Sequence, residues 1–189
     1  QLLLLQSISF VIRDILLWFK RHNALYPQLR SIIEKTVYEK EIATIINSVI
    51  DEQGNVRDNA SNELIKIRTN LAKTRHDLRR MFESILRKLS KQGYLADISE
   101  SFLNGRRTVA VFAEHKRIVK GILHGESDSR RTSFIEPEET IELNNQLYEL
   151  ENSERKEVYR ILKELTRNLS VYASLLSTYH SIVGEYDFI

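Results

Sequence analysis

The chain holds 189 residues, 42% hydrophobic and 29% charged, with a formal net charge of +2 and no cysteine. Disulfide scaffolds and thiol chemistry are thereby excluded. The rest is a soluble globular composition, long enough to bury a core in one large domain or two small ones.

Residues 2–21 read as a helix, with Leu5, Ile8, Val11 or Ile12, Ile15 and Phe19 at three- and four-residue steps. Arg13 and Asp14 break the opening apolar tract. It is expected to be too short and too polar to span a bilayer, so no membrane partner is expected. Nor does it carry the basic start and small-residue cleavage site of a signal peptide. It reads as a buried amphipathic helix, and the initial glutamine suits a fragment of a longer protein.

HNALYP ends this helix, and Pro27 suits the first turn of a helix near 28–35. A third helix is expected over 37–49. In IDEQGNVRDNAS, Gly54 and Asn55 tolerate positive φ, so Ile50 and Val56 are placed to pair across a hairpin. Ser61, or Asn59, caps the first long helix. Ala60, Leu64, Ile67, Leu71, Leu78, Met81, Ile85 and Leu89 recur on a seven-residue pattern, that of a coiled-coil seam.

After Pro137 a second long helix is expected, opened by Glu138 and Glu139, where carboxylates suit the helix dipole. Residues 51–92 hold ten Lys/Arg against six Asp/Glu, and residues 138–189 hold five against ten. Opposite charge on two seamed helices predicts antiparallel pairing.

Between them lie four strand-like stretches, LADISESF, TVAVFAEH, VKGILHG and TSFIEP, with Asn104-Gly105 as the strongest hairpin signal. The predicted organisation is a helical core region over 1–59 with a short hairpin near 50–57. A first long helix follows over 60–93, a β-rich insert over 94–137, and a second long helix over 138–189. The expected fold class is mainly α: a helical bundle and two long antiparallel lever helices, with a small antiparallel β insert at the tip, about 50 Å away at ~1.5 Å per residue.

No phosphate-binding loop, nucleophile elbow or metal-ligand spacing occurs, and the cluster Glu136, Glu138, Glu139 reads as a helix start. No enzyme, metal or cofactor is expected of this chain. The insert carries seven basic residues, Arg106, Arg107, Lys116, Arg117, Lys120, Arg130 and Arg131, against Glu114, Glu126 and Asp128. They suit phosphate contacts without base reading. They equally suit protection of exposed strand edges. Convergence on one face would favour the first, and pairing with the three acids the second.

The pattern GRR.V.V.AE.K....GI.H..S.S....FIEP......NN.L.ELE resembles the middle of MutS-type proteins, and most of all their second bacterial branch, the Smr-tailed MutS paralogues. IDEQGNVRDNASNELIKIR and LSTYHSIVGEYDF resemble the flanks of the same region. In that pattern small residues usually stand where Arg130 and Arg131 stand here. The resemblance implies core, lever and clamp regions, the clamp touching the backbone of duplex or branched DNA. It implies a cytoplasmic parent protein, homodimeric through a downstream ATPase using ATP and Mg, with a C-terminal nuclease domain, and a monomeric fragment. It also admits a second role, a lever and interaction module acting on stalled ribosomes or a protein partner.

Overall fold

The computed structural model describes residues 1–22 and 25–188. The HNALYP break includes residues 23 and 24, outside those described. Among the described residues six α-helices and four strands form. They are α1 (Leu2–Arg21), α2 (Pro27–Ile33), α3 (Lys40–Val49), α4 (Asn62–Lys91), β1 (Leu95–Leu103), β2 (Arg106–Phe112), β3 (Gly121–Glu126), β4 (Thr132–Pro137), α5 (Glu138–Ser170) and α6 (Ala173–Phe188).

This overturns the fold of two levers with a small tip insert. The helix expected to run over 138–189 is two helices, ending at Ser170 and restarting at Ala173. No glycine or proline stands at the break. Ser170 Oγ donates to Arg167 O (2.6 Å), a local bond that competes with helix continuation. Moreover, the chain divides into two compact units, Gln1–Ile65 with Lys156–Ile189, and Lys66–Arg155. Both divisions fall inside α4 and α5. The sheet belongs to a ninety-residue unit and shares a core there with Phe82 and Leu89 of α4.

In the first unit the core gathers Ile8, Ile12, Phe19, Ile33, Ile42, Ile46, Leu64, Ile161, Leu165, Tyr179 and Ile182. By length and composition α1 can cross a membrane, with a mean hydropathy of 1.8, which corrects the expectation that the tract is too short and too polar. Here its Ile8, Ser9, Ile12 and Phe19 are buried, and it packs on α3 and α6. Asp51 Oδ1 accepts from the Gln53 and Asn55 backbone amides (2.9 and 2.8 Å), which closes the loop joining Ile50 to Val56 in an antiparallel bridge. Ser61 Oγ accepts from Leu64 N (3.0 Å) and donates to Glu157 (2.6 Å), capping α4.

Tyr179 fixes the entry to α3. Its fully buried hydroxyl donates to Val37 O (2.6 Å) and accepts from Glu39 N (2.8 Å). Tyr179→Phe orphans both groups and is expected to cost about 1–3 kcal/mol in denaturant unfolding. Burial pushes the hydroxyl above the ordinary tyrosine value of 10.0. This contribution is therefore full below that value and is lost as pH rises through the folded one.

In the second unit the sheet is antiparallel with order β1-β2-β4-β3. Since β4 lies between β2 and β3, residues 113–120 cross from one end of the sheet to the other. Phe82 and Leu89 of α4 pack on Val109, Val111 and Ile135. Antiparallel ion pairs join α4 to α5 here: Arg68–Glu154 (2.8 Å) and Arg75–Glu151 (3.0 Å).

Candidate nucleic-acid interface

The strand register sorts the seven basic residues. Leu103 pairs with Arg106 beside the Asn104-Gly105 turn, whereas Phe112 pairs with Thr132 at the other end of β2. Six residues of strand, roughly 20 Å at ~3.3 Å each, separate the two ends.

At the Asn104-Gly105 end the arginines are engaged internally. Arg106 donates to Glu136 Oε1 (2.8 Å) and to Asn145 Oδ1 (2.7 Å). Arg107 donates twice to Glu100 Oε2 (2.9 and 2.6 Å), its guanidinium 4.4 Å above the Phe82 ring. Lys120 lies at this end too, because its carbonyl accepts from Glu138 N and Gly121 pairs with Pro137.

At the opposite end Lys116, Arg130 and Arg131 gather, and Arg117 follows Lys116 in the crossover. Ala113 N donates to Arg131 O (2.9 Å), which ties the start of the crossover to the β3–β4 turn. Lys116 Nζ lies 2.7 Å from Glu126. That bond and the Lys116 charge, with lesser help from Ser133 and Arg130, hold the Glu126 carboxyl below the usual range despite some desolvation. The turn over Ser127–Arg130 closes through Arg130 N to Ser127 O (2.7 Å), and Ser127 Oγ accepts from Thr132 N (3.1 Å). Arg130 closes it at φ 56, a left-handed conformation that glycine adopts without strain and arginine does not. Arg117, Arg130 and Arg131 are exposed, and none forms an ion pair among the described residues.

The carboxylate cluster read as a helix start divides. Glu138 and Glu139 are exposed in the first turn of α5, but Glu136 is fully buried. Its Oε1 accepts from Arg106 and Asn144 (both 2.8 Å), and its Oε2 lies 2.7 Å from His124 Nε2. The only sequence signal for this node was the position of Glu136 within a strand. Among the described residues no group of three or more His, Cys, Asp or Glu could hold a metal ion.

No family model matches the chain. The chain is 37% identical over 164 residues to a curated protein named endonuclease MutS2 from Geobacillus sp. (strain WCH70). It is 36% identical over 177 residues to one of that name from Pelotomaculum thermopropionicum, and 30% over 168 residues to one from Aquifex aeolicus. The matches take in 87%, 94% and 88% of this chain but 21%, 22% and 22% of those proteins. The chain is therefore related to MutS2 proteins and spans about a fifth of their length.

Proposed function

We propose that this chain is a binding segment of a MutS-type protein, touching the phosphate backbone of duplex DNA through the β3–β4 turn without reading bases. The observation that carries the reading is the pair Arg130 and Arg131. Both are exposed, neither forms an ion pair among the described residues, and Arg130 is held in a conformation unfavourable to its side chain. Strain kept at an exposed charge suits a contact site. Edge protection explains Lys116 with Glu126 but leaves these two arginines without a role. Arg106 and Arg107 are assigned instead to holding the sheet together. The nuclease activity in the relatives' names is left to the parts of those proteins outside the match.

Salt titration of duplex binding by the intact protein tests this. Each phosphate neutralised contributes about −0.9 to the log–log slope, with affinities on the order of 10⁻⁴ to 10⁻⁶ M at physiological salt. Arg130→Ala with Arg131→Ala is expected to flatten the slope by about two units, for any base sequence. Arg130→Gly separates charge from fold. It should lose about one unit while raising stability by roughly 1 kcal/mol through relief of the left-handed strain. An unchanged slope in both variants removes the turn from the interface.

A further inference from the structure

The first unit carries an apolar surface that its own fold leaves open. In α1 the residues Leu4, Val11 and Trp18 stand at strict seven-residue steps, which return a helix to within ~20° of one direction. The stripe they form is roughly a quarter-turn, at ~100° per residue, from the buried row of Ile12 and Phe19. All three are exposed, by 60%, 42% and 41%. Val11 and Trp18 also line a groove of about 380 Å³ with Ile15, Leu29 of α2 and Tyr186 of α6.

The groove asks for no charge. Asp14, which also lines it, is neutralised by Arg13 (2.8 Å), and the Tyr186 hydroxyl donates to Leu29 O (2.6 Å). Trp18 stacks on His22 and Tyr26, with ring centroids 4.5 and 6.1 Å away. Tyr26 is exposed and keeps that place at φ 50, a left-handed conformation costly to a bulky side chain. Exposed aromatic rings of this kind anchor interfaces. A helix apolar on its core side and again beside it is one that a folded protein covers on both.

We infer that the stripe and groove dock an apolar helix of the same polypeptide, from the part of the parent protein outside residues 1–189. The match takes in 21%, 22% and 22% of the MutS2 relatives, so most of such a protein is available to supply it. Size argues against a second copy of α1 as the occupant. From Leu4 to Trp18 is roughly 21 Å at ~1.5 Å per residue, and a helix is about 10 Å across. That offers roughly 200 Å² on each side, against about 800 Å² per partner in a stable association. A segment of the same chain loses far less translational and rotational freedom, so a small contact suffices. A bilayer is disfavoured too, because Ile8, Ile12 and Phe19 are already in the protein core and Arg13 and Asp14 lie mid-helix. A strand has no edge to join, since the β pairing of the first unit's described residues is the isolated Ile50–Val56 bridge. Seven-residue spacing instead matches the seam of a packed helix. The inference uses the relation to MutS2 proteins and does not depend on duplex DNA as partner.

The test is photo-cross-linking in the intact protein. A photo-reactive phenylalanine derivative replaces Val11, and in a second variant Leu4, both exposed positions where a new side chain disturbs the core least. Mass spectrometry then locates the captured residues. The expected result is a cross-link within one polypeptide, from both positions to one segment outside residues 1–189. That segment's apolar residues should recur at three- and four-residue steps. The same probe at Lys20, half a turn round the helix from Val11, should capture it about tenfold less. A product of twice the chain mass, joining α1 to a second copy, overturns the proposal. So does capture confined to residues 1–189, capture only of lipid when phosphatidylcholine vesicles are supplied, or no capture from either position. Equal capture from Lys20 also overturns it, because the surface would then not be selective.

Discussion

Gly121→Ala is expected to cost about 3 kcal/mol or more and to detach β3 from β4. Gly121 opens β3 opposite Pro137, at φ 151, and a Cβ there would stand 2.0 Å from Glu136 O and 2.9 Å from Glu136 C. Those are backbone atoms of the neighbouring strand, so no side chain can turn aside. Relief requires the strands to part where Pro137 already donates no hydrogen bond. Gly93→Ala supplies the control. Gly93 is also left-handed, at φ 73, but nothing lies within 4 Å of its added Cβ. It should cost only about 1 kcal/mol of backbone strain. Urea unfolding of the two variants side by side decides. Equal losses would show that the close approach to Glu136 is unimportant.

The second large effect is at Glu136 itself. Its carboxylate is inaccessible to solvent, and Arg106, His124 and Asn144 all converge on it. Glu136→Ala leaves the Arg106 guanidinium without its counter-charge and two polar side chains without an acceptor. The expected loss is about 3–5 kcal/mol. Burial alone would push the Glu136 carboxyl up, but the bonds from Arg106, His124 and Asn144 outweigh it and hold the group below its ordinary 4.5. A depressed carboxylate stabilises the fold above its unfolded value, and the benefit is lost as pH falls through the folded one. The wild-type protein should therefore lose stability progressively below about pH 4.5, and Glu136→Gln should show a shallower acid slope across that window. Thermal unfolding at a series of pH values measures this; parallel profiles would rule out Glu136 as an acid-sensitive group.

What the sequence disclosed was local. Hydrophobic steps located α1, turn residues located the Ile50–Val56 bridge, and Ser61 announced the start of α4. Alternation marked a stretch overlapping each strand, though it missed Arg106 and Arg107 at the start of β2 and stopped short of Leu103 and Glu126. It also carried the second stretch too far, since Ala113–His115 forms a 3₁₀ turn where strand was expected. The strand order was hidden, because residues 113–120 carry β2 past a strand that comes later in the chain. The arginines were indistinguishable for the same reason. Arg106 is neutralised by Glu136, 30 positions away, and hydrogen-bonded to Asn145, 39 positions away, whereas Arg130 forms no ion pair among the described residues, and no short-range pattern separates them. The end of α5 at Ser170 has no glycine or proline to announce it.

The split ownership of the first unit bears on synthesis. The inward residues of α1, Ile8, Ile12 and Phe19, share a core with Ile161, Leu165, Tyr179 and Ile182, and the whole of Lys66–Arg155 is translated in between. At roughly 5–20 residues per second, those ninety residues take about 5–20 s to emerge. Throughout that interval a strongly apolar helix waits without its C-terminal partners, and the core between Phe82 and Ile135 gains all its residues before those partners emerge. The nascent chain thus completes Lys66–Arg155 before the unit that flanks it, and α1 is a segment a ribosome-associated chaperone would meet.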